Sequence, residues 1–395
     1  MSWSADEAVF ITVVLLRLLV PLLVFRFPLP SILASLVIDA ADQTVFQRYT
    51  SIDLTNYQSY DKALDVYYLT LAYLSTMRNW RHGDAFTIAR FLFYYRLVGV
   101  TVFELVPGDN RALLLLFANT FEYFFIFFEG VQTRWDTVRQ SRRFWFLAAA
   151  FIWVFIKLPQ EYWIHVAQLD FTDAVSAHPE AAAFLGIVAV ALFAVVLRWL
   201  RPRVRRPDHT LSLVAPQLPG DLDRDEVRRQ LRVARGGILD RTLREKVVLV
   251  SLVTVIFAEI LPRVTATPLQ VTTAATVLVI VNSGVGLFTA RAGHGFDSAG
   301  LSFVALAVVN GGLVAVVGLL RPSQPYMNTG DALFFVLLIT LIVTMYERYA
   351  PVHAWHQARW LASAQNPGSP KGKSTDTSGK STGTGPGGHP VQDAD

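Results

Sequence analysis

The sequence predicts an all-α fold, a polytopic integral membrane helical bundle of about ten or eleven transmembrane helices. Two observations carry that expectation. Hydrophobic residues make up 53% of the 395 and charged residues only 17%, with a mean hydropathy of +0.39. That is more apolar surface than a soluble chain of this length hides in one or two cores. The apolar residues are also grouped, in repeated runs of roughly 20, the length that crosses a ~30 Å hydrocarbon layer at 1.5 Å per residue. Cysteine is absent, which excludes disulfides, thiolate metal sites and a cysteine nucleophile.

In chain order, the runs lie near 8–26, 62–78, 84–105, 111–129, 144–160, 181–200, 246–264, 270–290, 298–320 and 330–349. Residues 29–41 form a shorter apolar piece, either a span of its own or a continuation of the first run past Pro28 and Pro30. The long polar connection divides the chain into a front bundle (1–200), a basic linker (201–245) and a back bundle of four helices (246–350). Residues 361–395 are rich in Gly, Ser, Thr, Pro and Lys and read as a disordered tail. From Arg198 to Lys246 the connection holds 12 Arg and one Lys against seven Asp or Glu, an excess of +6. Asp223 or Asp225 can cap a short helix within it.

Positive charge near span ends marks the cytoplasmic side. The linker and the loop TRWDTVRQSRR (133–143) are therefore expected inside, and the intervening EYWIHVAQLDFTDAVSAHPE (161–180), with no Lys or Arg, outside. Continuing the alternation puts the C-terminus inside and the stretch 39–61 outside. A separate span at 29–41 puts the N-terminus outside as well, the arrangement we favour.

The stretch IDAADQTVFQRYTSIDLTNYQSYDKALD (38–65) gathers Asp39, Asp42, Asp53, Asp61 and Asp65 between two apolar segments. Asp39 and Asp42 are three apart and Asp61 and Asp65 four apart, so each pair shares one helix face. Two adjacent helices could bring four carboxylates together, hard oxygen ligands suited to a divalent cation such as Mg²⁺ or Mn²⁺. These four aspartates are the candidate metal ligands, and with Arg96 and Glu122 the candidate catalytic residues. Asp53 fits an ordinary wet external loop.

The spacing of Asp39, Asp42, Asp61 and Asp65 resembles the signature of the CDP-alcohol phosphotransferase family, D-x2-D-G-x2-A-R, a loop, then G-x3-D-x3-D. That resemblance implies a divalent metal held by the four aspartates and a cytidine nucleotide beside it. The chain departs from the signature at Gln43, Phe46, Gln47 and Tyr57, where the family has Gly, Ala, Arg and Gly. The external placement is similar instead to polyprenyl-phosphate-sugar glycosyltransferases, whose first external loop carries acidic residues.

Charges inside apolar runs are costly and usually face a bundle interior or cavity. Arg17, Asp65, Arg90, Arg96, Glu122, Glu129, Lys157 and Glu259 are of this kind. An Arg96–Glu122 or Arg96–Asp65 pair is expected. Lys157, Glu129 and Arg90 lie near span ends, where snorkelling suffices. Asn282 and Asn310 read as helix-packing residues, and His165 as an interfacial residue that could serve as an external acid or base.

No H-E-x-x-H, P-loop, G-x-S-x-G or dinucleotide fingerprint occurs, so ATP hydrolysis and soluble redox chemistry are not expected. The arginines follow membrane topology, so no nucleic-acid partner is expected. What the residues support is a multi-pass protein of a bacterial plasma membrane, with membrane lipids as partners. Within that frame, we favour an enzyme acting on a lipid-linked or cell-envelope substrate at the external acidic site. A secondary transporter using Asp65, Arg96 and Glu122, and a non-catalytic scaffold, remain open.

Overall fold

The structure is a computed structural model, and it describes residues 5–51, 57–106, 112–163, 179–200, 205–218, 241–260, 264–291, 299–320 and 329–365. Among them the regular elements are all helical. The front half contains α1 (Ala5–Leu19) leading into a 3₁₀ segment (Val20–Phe25), α2 (Pro28–Tyr49), α3 (Tyr57–Asn79), α4 (Gly83–Leu105), α5 (Ala112–Leu116) and α6 (Thr120–Gln132). It continues with α7 (Arg142–Phe151), a π-helical segment (Ile152–Lys157), α8 (Leu158–Glu161) and α9 (Pro179–Leu200). The back half contains α10 (Arg241–Ile260), α11 (Pro268–Arg291), α12 (Ala299–Leu320) and α13 (Thr329–Gln365).

Six of the described helical stretches are long and apolar enough to cross a membrane: Ala5–Phe25, Pro28–Tyr49, Gly83–Leu105, Arg142–Glu161, Pro268–Phe288 and Ala332–Ala362. Of the other expected runs, those at 181–200 and 298–320 fall on α9 and α12, apolar helices of 22 residues each, and the rest on helices that are more polar or broken. The run expected at 111–129 is one of these: α5 and α6 are separated at Phe117–Asn119. The last helix, expected to end near 349, continues through Pro351 to Gln365. Asp53, the capped linker helix at 223–237, His165 and residues 366–395 lie outside the described residues.

Residues 29–41 belong to α2, a helix of its own that folds back along α1. The Ser51 hydroxyl and N–H both bond the Asp6 carboxylate, so the start of α1 lies beside the end of α2. The opposite end gathers the cytoplasm-expected loops: the Ala215 N–H donates to the Arg26 carbonyl and the Ser212 N–H to that of Thr133. The Asp6–Ser51 contact and the Arg26–Ala215 contact therefore lie at opposite ends of the pair formed by α1 and α2.

The centre of the molecule is α3. Its residues from Ala63 to Met77 are almost all buried, and it packs against α1, the 3₁₀ segment, α2, α4, α6, α10 and α13. This explains its polar-aromatic sequence YDKALDVYYLTLAYLSTMRN: protein surrounds it on every side, so its hydroxyls find partners. Front and back halves share one apolar core that includes Tyr73, Phe93, Phe121, Val253, Ile256 and Val343. A half-buried ion pair also crosses between them, with Arg90 3.8 Å from Glu245 and the Tyr73 hydroxyl donating to the same carboxylate. Within the back half Lys246 reaches Glu347 at 2.8 Å and Asn310 donates to Thr340 at 2.7 Å.

Candidate functional site

Arg17 is the one charge in the apolar run of α1, and its side chain is only 3% exposed. Its stripe continues Val13, Arg17, Pro21 and Val24, all buried, which turns the guanidinium inward. On α2 the buried stripe Ser31, Ser35, Asp42 and Phe46 carries the aspartates on the face that meets it. Two hydrogen bonds fix the approach: Ser31 Oγ donates to the Val20 carbonyl at 2.8 Å, and the Tyr67 hydroxyl of α3 to the Leu18 carbonyl at 2.9 Å.

The guanidinium donates to all four aspartates at once. Asp61 accepts at 2.8 Å and Asp65 at 3.2 Å, and Asp39 and Asp42 accept as well. Exposure grades across the cluster, from a fully buried Asp42 side chain to an Asp61 side chain 31% exposed. Carboxylate oxygens of Asp39, Asp61 and Asp65 lie within 4.8 Å of one another.

The helix-face pairing expected from the Asp39/Asp42 and Asp61/Asp65 spacings is thus present, with an arginine at its middle that the spacing did not announce. The surroundings differ from expectation. Asp39 and Asp42 are helical rather than in an external loop. Asp39 is the twelfth of the 22 residues of α2, and Asp65 is eight residues into α3, roughly 12 Å along its axis. The cluster lies at the depth of the apolar segments.

Four carboxylates around one guanidinium leave three formal negative charges. At an effective dielectric of about 20, two carboxylates 4.8 Å apart repel by roughly 3.5 kcal/mol. The same scale gives roughly 6 kcal/mol of attraction between Arg17 and Asp61 at 2.8 Å. Attraction and repulsion are of one order, so the centre attracts a further cation, metal or proton. The ligand set fits a hard divalent ion, whose 2.0–2.6 Å bonds place neighbouring oxygens at such separations. Asp39, Asp61 and Asp65 would hold it, each offering a second oxygen besides the one bonded to Arg17. Bound there, such an ion would supply Lewis-acid stabilisation of an anionic group.

One turn along α3 from Asp65 stands Tyr68, whose hydroxyl donates to Glu122 at 2.7 Å. The other Glu122 oxygen accepts from Asn119 Nδ2 at 3.0 Å. The helix break makes this possible, because it puts Asn119 and Glu122 in the first turn of α6 beside the middle of α3. Beyond it, the Asn119 N–H donates to Glu161 at 3.4 Å, and Glu161 pairs with Lys157 at 3.4 Å. A line of polar groups therefore runs from the aspartates through Tyr68 and Glu122 to Glu161.

Arg96 does not form the expected pair with Glu122 or Asp65. It donates instead to the Phe117 carbonyl at 3.1 Å, and Tyr95 donates to that of Leu116 at 2.8 Å. Both carbonyls were released by the break, so these two side chains do what the next turn of helix would have done. Glu129, expected to snorkel, is buried and accepts from Trp80 Nε1 at 2.7 Å. Lys157 is buried too, drawn in by Glu161.

No protein-family model, curated protein or solved structure matches the chain. The functional reading rests on the geometry of the site.

Proposed function

We propose that this chain is a multi-pass plasma-membrane protein whose aspartate centre binds a cation, and that it works as a secondary transporter coupled to that cation. The observation that carries the reading is the convergence of Asp39, Asp42, Asp61 and Asp65 on Arg17 at the depth of the apolar segments. Ionisable groups there are expensive, and ion or proton pathways are their usual use. One turn along α3 from Asp65, Tyr68 donates to Glu122, so a second carboxylate able to take a proton stands in the bundle near the centre. Ten or eleven spans with a cytoplasmic C-terminus accommodate the remaining helices.

A second reading is favoured by the three oxygens within 4.8 Å. It is a membrane enzyme that holds a divalent cation on Asp39, Asp61 and Asp65 and acts on a lipid-linked or cell-envelope substrate. In it Arg17 orients the carboxylates and the cation neutralises the substrate's anionic group.

Both are tested on the purified chain in proteoliposomes containing a pH-sensitive dye, with Mn²⁺ binding followed in parallel by paramagnetic resonance. Cation-driven proton movement lost in Asp65→Asn and Glu122→Gln supports transport. Stoichiometric Mn²⁺ binding lost in Asp39→Asn, without proton movement, supports the enzyme. If neither appears, the cluster is a structural clamp joining α1, α2 and α3, and the chain is a scaffold.

A further inference from the structure

The end of the bundle opposite the Asp6–Ser51 contact holds a cleft of about 490 Å³, within the size range of small-ligand sites. One wall is the last turns of α3 and α6 and the loop after α6. The other is the stretch 205–216 of the basic connector, which is non-helical and laid across the opening. The stretch is fastened at several points: the Asp208 and Ser212 N–H groups donate to the Arg134 and Thr133 carbonyls, both at 3.0 Å. The Trp135 indole N–H donates to the Arg205 carbonyl at 2.9 Å.

Two lining residues are left with binding capacity. Asn79 is 2% exposed, and its Oδ1 accepts from Arg78 at 2.6 Å. A guanidinium can only donate, so the atom facing it is the oxygen, and Nδ2 is the buried donor left without a partner. Arg81, two residues on and exposed, makes no ion pair among the described residues. The other cation of the lining, Arg139, is engaged by Asp208 at 2.9 Å and Asp136 at 3.3 Å. Glu129 lines the same cleft and is a buried acceptor that takes one hydrogen bond from Trp80.

A free amide donor beside an uncommitted guanidinium calls for an anion of phosphate or carboxylate type. The Glu129 carboxylate calls for a donor on the same molecule, since a bare anion would be repelled there. We propose that this cleft binds a phosphate ester bearing a hydroxyl group, with the phosphate on Asn79 Nδ2 and Arg81 and the hydroxyl donating to Glu129. A soluble ester and the headgroup of a lipid at the cleft mouth present the same chemistry. The site is independent of the aspartate centre, so either can fail without the other.

The test uses the full chain in phosphatidylcholine nanodiscs. In one arm glycerol 3-phosphate is titrated by calorimetry; in the other, phosphatidic acid is incorporated in the discs and the thermal midpoint is followed. A response in either arm, weakened roughly tenfold or more by Asn79→Asp and by Arg81→Gln, supports the site, and the responding arm identifies the source. Asn79→Asp keeps the shape and places an acceptor where the donor was. Both variants are first checked for an unchanged thermal midpoint in ligand-free phosphatidylcholine discs. No response in either arm, or a response that both variants retain, overturns the proposal.

Discussion

Replacing Arg17 by Met keeps much of the side-chain length and removes the charge, leaving four carboxylates with no counter-ion. Arg17 contacts all four, with its own side chain 3% exposed and that of Asp42 fully buried. Removing one partner of a buried ion pair typically costs about 3–5 kcal/mol, and Arg17→Met should fall at or above the upper end. Asp61→Asn makes the contrasting case. It loses one attraction of roughly 6 kcal/mol at 2.8 Å, but relieves two repulsions, with Asp39 and Asp65, of at least about 3.5 kcal/mol each. The relief at least matches the loss, so Asp61→Asn should be as stable as the parent or slightly more so. Thermal unfolding in detergent, followed by intrinsic fluorescence of the nine tryptophans, should show Arg17→Met many degrees lower and Asp61→Asn close to the parent. Equal losses in the two variants, or an Arg17→Met protein as stable as the parent, would refute the account of an over-charged centre held by one guanidinium.

Four further outcomes are expected. Glu122→Gln can keep its oxygen on Asn119 Nδ2 and donate its N–H₂ to the Tyr68 hydroxyl oxygen, so two charge-assisted hydrogen bonds become neutral ones at a cost of about 1 kcal/mol by thermal unfolding. Gly99→Ala places a Cβ 2.1 Å from Phe117 Cβ, and overpacking of that kind should cost about 1–3 kcal/mol and disturb the helix break, seen as new protease sensitivity around residue 117. His82 has its pKa lowered by burial: Nδ1 accepts from the Ala85 N–H at 3.2 Å and Nε2 faces the Gln140 carbonyl at 2.9 Å. Because the folded value lies below the unfolded one, near 6.5, stability is full above that pH and falls as pH drops through it; His82→Gln should flatten the melting profile between about pH 7.5 and 5.5. Asp208 is held below the usual carboxylate range, chiefly by the Asp136 N–H, so the 205–216 stretch should stay fastened above that range and loosen as pH falls through the lowered value. Asp208→Ala should loosen it at neutral pH, read as faster proteolysis within the connector.

The apolar runs were legible because length and composition alone set the requirement for a span. The two aspartate pairs were legible because three- and four-residue spacings define a helix face locally. What brought them together was not: Arg17 is 22 to 48 residues away from its partners, and its only signal was a charge interrupting an apolar run. Arg96 and Glu122 showed the same signal, yet their partners turned out to be a carbonyl, a phenol and an amide, groups too common in the sequence to single out. The break at Phe117–Asn119 carries neither Pro nor Gly; its one local signal is Asn119 with Glu122 three residues on, a helix-start pattern set inside an otherwise continuous apolar run. The 205–216 stretch has no periodicity, and its fastening combines backbone groups with two side chains, Asp208 and Trp135, that nothing in the sequence pairs with their partners.

The π-helical turn Ile152–Lys157 adds a residue to the helix without lengthening its hydrogen-bonded ladder. Everything after it is rotated by about 100° relative to a continuous α-helix. Up to the start of the turn the buried positions are Trp145, Ala149 and Ile152, at steps of four and three; they resume at its end with Lys157 and Glu161 after a step of five, while Phe151 and Phe155 point outward. The turn works as a phase shift between two amphipathic patterns that could not share one uninterrupted helix. Deleting a single residue there would shorten the step from Ile152 to Lys157 from five residues to four, so the two patterns would align on one uninterrupted α-helix and the π turn would no longer be needed.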